Sequence, residues 1–510
     1  MKSQRITVMK GIYLCLLTAY AILREVMIIQ RIVGSAFVTY GFFLLGIAII
    51  GLCLLQDHRP YFHRNQWPLY LFLLCCILST VWNLQVVLFS NGQAIAWLVL
   101  YFFLLVPGGW DQEGEKKIWE WVMITSVTIL TLLSLIALPM YFFDVGYSYI
   151  RESGFLFYQG FSTERLRLWG LYADPNTAGV YNMVAVCFIG YFLQKTQRVW
   201  LKILLLLCCV PLVVMTILGN SRTVLVACVV TAGWIAFYLC CTFQKEKRLK
   251  NVAISVLAMV MAAAVAISAF SAVKTAMPHL KAAIQLETDE KTNAAVHAVY
   301  DRGFQWSGLN VSQGYYGAHS ANQEVSEVPV EPSQPNQTVQ NGTDTIQQEE
   351  KSTVEVLERT DLQADISNGR FEIWRDVLVV ARYNLLFGTS PRGISQAARE
   401  VAPGGYVAMY DYAAHNSMLE VLAGTGLAGF SVIMGLLVWM AAIILRSTFS
   451  ERFQWQIAIY GTTLLLIVCE MMFISDVFFN LTFGGIAFWM ASGRILEYGD
   501  NHVAKKEGDQ

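Results

Sequence analysis

The chain has 510 residues, of which 55% are hydrophobic and 14% charged, with a formal net charge of −1 and a mean hydropathy of +0.48. Soluble domains carry roughly a quarter charged residues, so a soluble fold is excluded, and the near-zero charge gives no support to a nucleic-acid partner. The 11 cysteines all lie in apolar stretches, where they read as small packing residues and not as a disulfide framework or a metal site.

A helix that crosses a bilayer needs about 20 apolar residues. About twelve such runs occur, near 9–29, 34–55, 67–89, 92–107, 117–142, 176–194, 199–218, 223–242, 252–273, 417–445, 455–475 and 476–494. The pattern predicts an all-α polytopic membrane protein. Arg24 and Glu25 interrupt the first run, which lacks a small-residue cleavage site and reads as an uncleaved anchor. Lys2, Arg5, Lys10, Arg59, Arg64, Lys116, Lys117, Lys195, Arg198, Lys202, the run KEKRLK (245–250), Arg446, Arg452, Arg494, Lys505 and Lys506 all fall on one side when twelve spans are counted. That side is cytoplasmic by the positive-inside rule and holds both termini. The organisation expected is nine spans over 1–273 with an outer loop at 143–175, a large extracytoplasmic loop over 274–416, three spans over 417–495 and a cytoplasmic tail over 496–510.

Within the large loop, 308–352 is acidic and rich in Gln, Asn, Ser and Pro, and 308–350 contains no Lys or Arg. Such a composition buries too little apolar surface to offset its ordering entropy, so a disordered insert is expected. The stretch ISNGRFEIWRDVLVVARYNLLFG (366–388) carries Phe371, Trp374, Leu378 and Val379 at helical spacing, with Ser367 or Asn368 as the cap and a break from Asn384 to Gly388. It reads as an amphipathic outer helix lying along the membrane surface.

Arginines recur on the outer side, where the same rule should deplete them: Arg165 and Arg167 before ADPN, Arg222 in GNSRT, Arg370 on the amphipathic helix and Arg392 in GTSPRG. A guanidinium fork suits a phosphate. Asp174 and Pro175 form a helix start, and Asn220 or Ser221 can cap the helix that follows Arg222's turn. Two helix N-termini beside arginines make natural anion sites. Asn176, Asn220 and Ser221 join Arg165, Arg167 and Arg392 as candidate substrate-binding residues.

The stretch YDYAAHNSMLEVLAGTGLAG (410–429) places His415 one residue before a hydrophobic helix begins. Ser417 and Glu420 fit a capping box, and Gly424, Gly426 and Gly429 permit close approach of another helix. His415 has no such structural task. It lies four residues after Asp411, with Tyr412 and Asn416 close by as further candidate substrate-binding residues, and an imidazole can exchange a proton near neutrality. Glu470 is the intramembrane exception among the carboxylates, and pairing with a neighbouring span is expected of it.

LYADPNTAG, GNSRT, SNGRFEIW, NLLFGTS and AAHNSMLEVLAGTGLAG together resemble the O-antigen ligase and polymerase family in their order and membrane placement. The resemblance carries motifs over roughly 160–430 and is supported elsewhere by topology. It implies a fold like the C-type membrane glycosyltransferases, with a large partly helical outer loop, and a multi-pass location in the cytoplasmic membrane with the active site outside. It also implies inverting transfer of a saccharide from a polyprenyl-diphosphate carrier to a saccharide acceptor, without a metal or other cofactor. Carried onto matching positions, Arg222 and Arg370 bind the diphosphate and His415 assists the acceptor hydroxyl. Repeat-unit polymerisation is the favoured job; the alternatives are a ligase using a different acceptor and, from another class, a lipid-linked saccharide transporter. Other polysaccharide-assembly membrane proteins are possible partners beside the bilayer itself.

Overall fold

The computed structural model describes residues 2–61, 64–107, 113–150, 156–163, 165–243, 249–307, 369–449, 455–474 and 477–508. The insert expected at 308–352 and the cap expected at Ser367 or Asn368 lie outside the described residues. Apolar runs become helices, as they must where no water is present to satisfy the backbone. They are α1 (Lys2–Leu23), a single turn α2 (Gln30–Val33), α3 (Ala36–Gln56), α4 (Trp67–Trp82), α5 (Leu88–Leu100), which continues as a π turn over Tyr101–Leu105, and α6 (Glu113–Phe142). After a small sheet come α7 (Pro175–Lys195), α8 (Val199–Leu218), α9 (Arg222–Phe243), α10 (Leu249–Glu287) and α11 (Glu290–Ser307). The last group is α12 (Arg370–Tyr383), α13 (Ile394–Val401), α14 (Tyr406–Tyr410), α15 (Ser417–Thr448), α16 (Trp455–Met471) and α17 (Phe483–Gly508).

Among the described residues, nine helices are long and apolar enough to cross a membrane. The other three runs marked on the sequence fall on α4, α16 and α17, of which the first two are apolar but shorter. The first helix stops at Leu23, just before Arg24 and Glu25. The ninth run continues through 39 residues to Glu287, so the large loop begins as helix, and α17 runs on to Gly508 through the expected tail.

The loop expected at 143–175 holds regular structure. It forms β1 (Gly146–Ile150), β2 (Leu156–Ser162) and β3 (Arg167–Gly170), an antiparallel sheet in the order β1-β2-β3. Tyr147 pairs with Gln159 and Phe161 with Leu168. All four residues of β3 are buried, as are Tyr147, Gln159 and Phe161, so these strands carry no alternation for a sequence reading to find. The far end of α10 and α11 lie against the sheet through Lys281 to Asp144, Tyr147 Oη to Asp301 (2.6 Å) and Gln285 Nε2 to the Phe142 carbonyl (2.9 Å).

The main core runs the length of the bundle, with Trp97, Trp119, Tyr101, Tyr181 and Trp489 fully buried. A second, smaller core belongs to α12–α14 and the start of α15, built from Ile373, Val377, Val380, Ala398, Val407 and Ala414. The stripe of α12 that enters this core is a second one, distinct from that read from the sequence. Phe371, Leu378 and Val379 point outward, at 65%, 41% and 39% exposure, because Ile373, Val377, Val380 and Ala381 face α15 and α14. The helix is apolar on both faces, and the stripe read from the sequence is the one left outside the protein core.

Charges separate by end. Near the N-terminus Lys10 pairs with Glu115 (2.9 Å), and the fully buried Arg494 pairs with Glu497 (3.1 Å) and donates to the Val106 carbonyl (3.2 Å). Lys195 and the Tyr191 hydroxyl share Glu120. The sheet and α11–α14 occupy the opposite end.

Candidate active site

The end opposite that ionic set is organised by backbone. After α12 the chain turns at Asn384, and Gly388 takes a left-handed φ of +70°. The turn lies against α15, whose Gly426 has φ +65° and ψ −170° inside the helix. Leu427 N donates to the Leu385 carbonyl (2.8 Å), Ala428 N to that of Leu386 (3.2 Å) and Thr389 N to that of Ala423 (2.8 Å). A Cβ on Gly426 would stand 2.3 Å from the Leu386 oxygen, and one on Gly388 would stand 2.5 Å from the backbone of Gly424 to Gly426. The glycines at 424 and 426 therefore admit a loop backbone, where close approach of another helix was expected. Gly429 meets its own Thr425 side chain.

Three polar side chains inside spans brace this junction, and none was singled out from the sequence. Ser79 Oγ donates to the Gly424 carbonyl (2.7 Å) and accepts from Ser390 N (3.1 Å). Asn83 Nδ2 donates to the Gly388 carbonyl (3.1 Å), and Asn91 Nδ2 to Ser390 Oγ (2.9 Å). Their signal was available: a buried amide or hydroxyl in an apolar run needs a partner.

The start of α15 also differs from the expected capping box. Asn416 is the cap, its Oδ1 accepting from Met418 N (2.9 Å) and Leu419 N (3.0 Å). Ser417 is inside the helix, and its hydroxyl donates to the Ile474 carbonyl (2.6 Å). The cap moves one residue toward the N-terminus because the α16–α17 connection claims Ser417. Asn416 Nδ2 donates to the Met472 carbonyl of that same connection (3.2 Å).

His415 precedes the cap with a left-handed φ of +46°. With Arg370, Tyr406, Tyr412, Ile373 and Gly369 it lines a cleft of about 220 Å³. Arg370 is the first residue of α12, and its guanidinium lies over the Phe473 ring, 5.4 Å from the centroid. Three consecutive residues, Met472, Phe473 and Ile474, thus hold Asn416, Arg370 and Ser417. Burial, helped by neighbouring Tyr410 and Tyr406, raises the Tyr412 hydroxyl above its ordinary range and keeps it protonated. Asp411 pairs with Arg399 (3.2 Å), both exposed.

The other sequence-predicted residues form separate groups. Arg167 is buried; its Nε donates to the Gly219 carbonyl and its Nη2 to Asn176 Oδ1, each at 2.7 Å. Ser221 Oγ donates to the same Asn176 Oδ1 (2.6 Å) and accepts from Val224 N (3.2 Å), capping α9. Asn220 Nδ2 donates to the Leu166 carbonyl (3.4 Å). ADPN and GNSR are therefore one assembly, with the Asp174 cap as expected. Arg165 lies over Tyr158 at 4.7 Å. Arg222 is exposed in the first turn of α9 and is not among the residues that line the cleft. Arg392 donates from its backbone to Asn91 Oδ1 (2.8 Å), and its guanidinium holds the Phe479 carbonyl (3.0 Å) and the Asn480 side chain. Phe483, three residues on, packs its ring 5.0 Å from Tyr181, two turns into α7. All these groups share one end of the bundle.

Glu470 is 2% exposed. Its Oε2 stands 3.5 Å from the place of a Cβ on Gly484, at the start of α17, where the positive helix end favours a carboxylate. Among the described residues, no three His, Cys, Asp or Glu side chains are grouped to hold a metal ion. Arg370 and His415 both line this cleft, and a cation and an imidazole in one opening can hold an anion while a proton moves.

The family model described as O-antigen ligase matches residues 207–434, from α8 through the first half of α15. That stretch contains Arg222, Arg370, Arg392 and His415. No curated protein matches the chain.

Proposed function

We propose that the chain, whose residues 207–434 match the family model described as O-antigen ligase, is a multi-pass membrane enzyme of glycan transfer in surface-polysaccharide assembly and moves a saccharide from a polyprenyl-diphosphate carrier to a sugar hydroxyl. The reaction lies on the outer face of the cytoplasmic membrane. The acceptor is a second lipid-linked repeat unit, so the product is a growing chain. One observation carries this reading: Arg370 and His415, remote in sequence, line a single cleft.

The chemistry follows from those two groups. His415, neutral, takes the proton of the acceptor hydroxyl as its oxygen bonds to the anomeric carbon of the donor. The bond from that carbon to the diphosphate breaks, and its electron pair leaves with the lipid diphosphate. Attack opposite the leaving group inverts the anomeric centre. Arg370, with Arg222 as the second cation at the same end, meets the charge that grows on the diphosphate. A charge-assisted hydrogen bond contributes about 1.5–3 kcal/mol, so Arg370→Ala lowers the rate roughly tenfold to a hundredfold. A base that must be neutral loses activity as pH falls through the range where imidazole protonates.

The test is reconstitution with a synthetic polyprenyl-diphosphate oligosaccharide. Products that grow by whole repeat units are expected, with loss of growth in Arg370→Ala and His415→Ala. Transfer only to an added foreign acceptor would make the enzyme a ligase. Full turnover in both variants would overturn the site.

A further inference from the structure

The cleft does not end at its own rim. Tyr406, Tyr410, Tyr412 and His415 follow one another in ring contact, with centroids 5.8 Å apart from Tyr406 to Tyr410, 5.9 Å from Tyr410 to Tyr412 and 5.8 Å from Tyr412 to His415. The series is built into the fold. Val407 and Ala408 are buried in the small core against α12, which turns Tyr406 and Tyr410, four residues apart on α14, to the same outward face. Asp411 then takes a left-handed φ of +55° and redirects the chain so that Tyr412 follows Tyr410. Tyr406 and Tyr410 are 44% and 42% exposed, far more than the proposed reaction requires of them.

We propose that this row is a saccharide-binding track that holds the acceptor chain and delivers its terminal hydroxyl to His415. The inference rests on the transfer reaction proposed above and adds to it a subsite for the acceptor. A pyranose presents an apolar C–H face and a polar edge. A tyrosine ring matches the face, and its hydroxyl matches the edge. Rings at successive contact distance accept successive sugars. Tyrosines also gather at membrane interfaces, but the surroundings here favour water. Asp411, between Tyr410 and Tyr412, pairs with Arg399 while their side chains remain 68% and 58% exposed, an arrangement costly in lipid.

The experiment uses the full-length protein in lipid nanodiscs. Short oligosaccharides from partial hydrolysis of the surface polysaccharide of the producing cells are titrated without donor, and binding is read by saturation-transfer NMR. Tyr406→Ala and Tyr410→Ala each weaken that binding about two- to tenfold, the range of one aromatic contact. In the transfer assay Tyr410→Ala raises the acceptor KM by the same factor and leaves kcat within about twofold. Tyr410→Phe, which keeps the ring, restores both. Unchanged binding in the alanine variants, as an interfacial anchor predicts, would overturn the track. So would Tyr410→Phe behaving like Tyr410→Ala, or an effect confined to the donor KM. Full turnover in His415→Ala would instead sink the reaction proposed above, and because binding is read without turnover the two failures are separable.

Discussion

At the scale of single residues, His415 combines a place in the cleft with a backbone conformation that costs free energy. A left-handed φ on a residue with a Cβ is unfavourable by about 1–3 kcal/mol and persists where the surroundings impose it. His415→Gly removes both the strain and the imidazole. It is expected to unfold at or above the wild-type temperature in a thermal-shift assay while losing transfer, which separates the chemistry of this residue from its share in stability. An unfolding temperature clearly below wild type would show that the ring is part of the packing. Arg392 and Arg222 make the opposite contrast. Both were read from the sequence as anion ligands, yet the guanidinium of Arg392 holds the Phe479 carbonyl and the Asn480 side chain, whereas Arg222 is exposed. Arg392→Ala is therefore expected to cost about 1.5–3 kcal/mol of stability, the range for charged hydrogen bonds, and to lower the unfolding temperature accordingly. Arg222→Ala should shorten the chain-length ladder of surface glycan. A stable Arg392→Ala protein with weakened donor binding would return that arginine to the ligand set. Sequence marks an arginine as needing a partner; it does not say whether the partner is substrate or backbone.

The element that sets the geometry is the junction of the Asn384–Gly393 turn with α15. The glycines there were legible as small residues, but their partner was not, because a helix and a loop demand the same absence of Cβ. Gly426→Ala meets two penalties at once: a left-handed φ, about 1–2 kcal/mol, and a carbonyl oxygen 2.3 Å from the new methyl. Its unfolding temperature is expected to drop by more than that of Gly429→Ala, whose methyl would stand 2.1 Å from Thr425 Oγ1 but carries no left-handed φ penalty. Equal effects at the two positions would mean that the loop yields easily. The cap of α15 belongs to the same scale. Asn416→Ala removes the acceptor for two helix N–H groups and the bond to Met472, about 1 kcal/mol for the cap alone. Ser417→Ala leaves the cap intact, the reverse of what the capping-box reading predicts.

Over the whole molecule, the protein sorts its charged groups between two ends of an apolar bundle. One end spends them on buried ion pairs around Arg494 and Glu115; the other spreads arginines, a histidine and aromatic rings along the α12–α15 face and the α7 and α9 helix starts. The apolar face of α12 that carries Phe371, Leu378 and Val379 is turned away from the small core, as a helix lying on a bilayer requires. The segment 308–350 contributes no Lys or Arg and little apolar content to this arrangement. Its deletion is expected to leave transfer largely intact in membranes where the shortened protein inserts normally. Loss of transfer with normal insertion would assign the segment a task that its composition does not declare.

Composition and period determined by themselves that the chain is a helical membrane protein, which helices begin at Asp174 and near His415, and which cations sit at the end away from the N-terminus. These follow from local chemistry, since apolar runs, caps and the placement of charge act over a few residues. Only the tertiary structure decided that Arg370 and His415 share a cleft, that Arg392 is a brace, that Asn416 and not Ser417 caps α15, and that ring contacts link the tyrosines of α14 to the imidazole. Each of those outcomes turns on which distant backbone reaches a side chain first, as Ile474 reaches Ser417 and Leu386 reaches Gly426. Contacts between segments tens to hundreds of residues apart leave no period in the sequence to read.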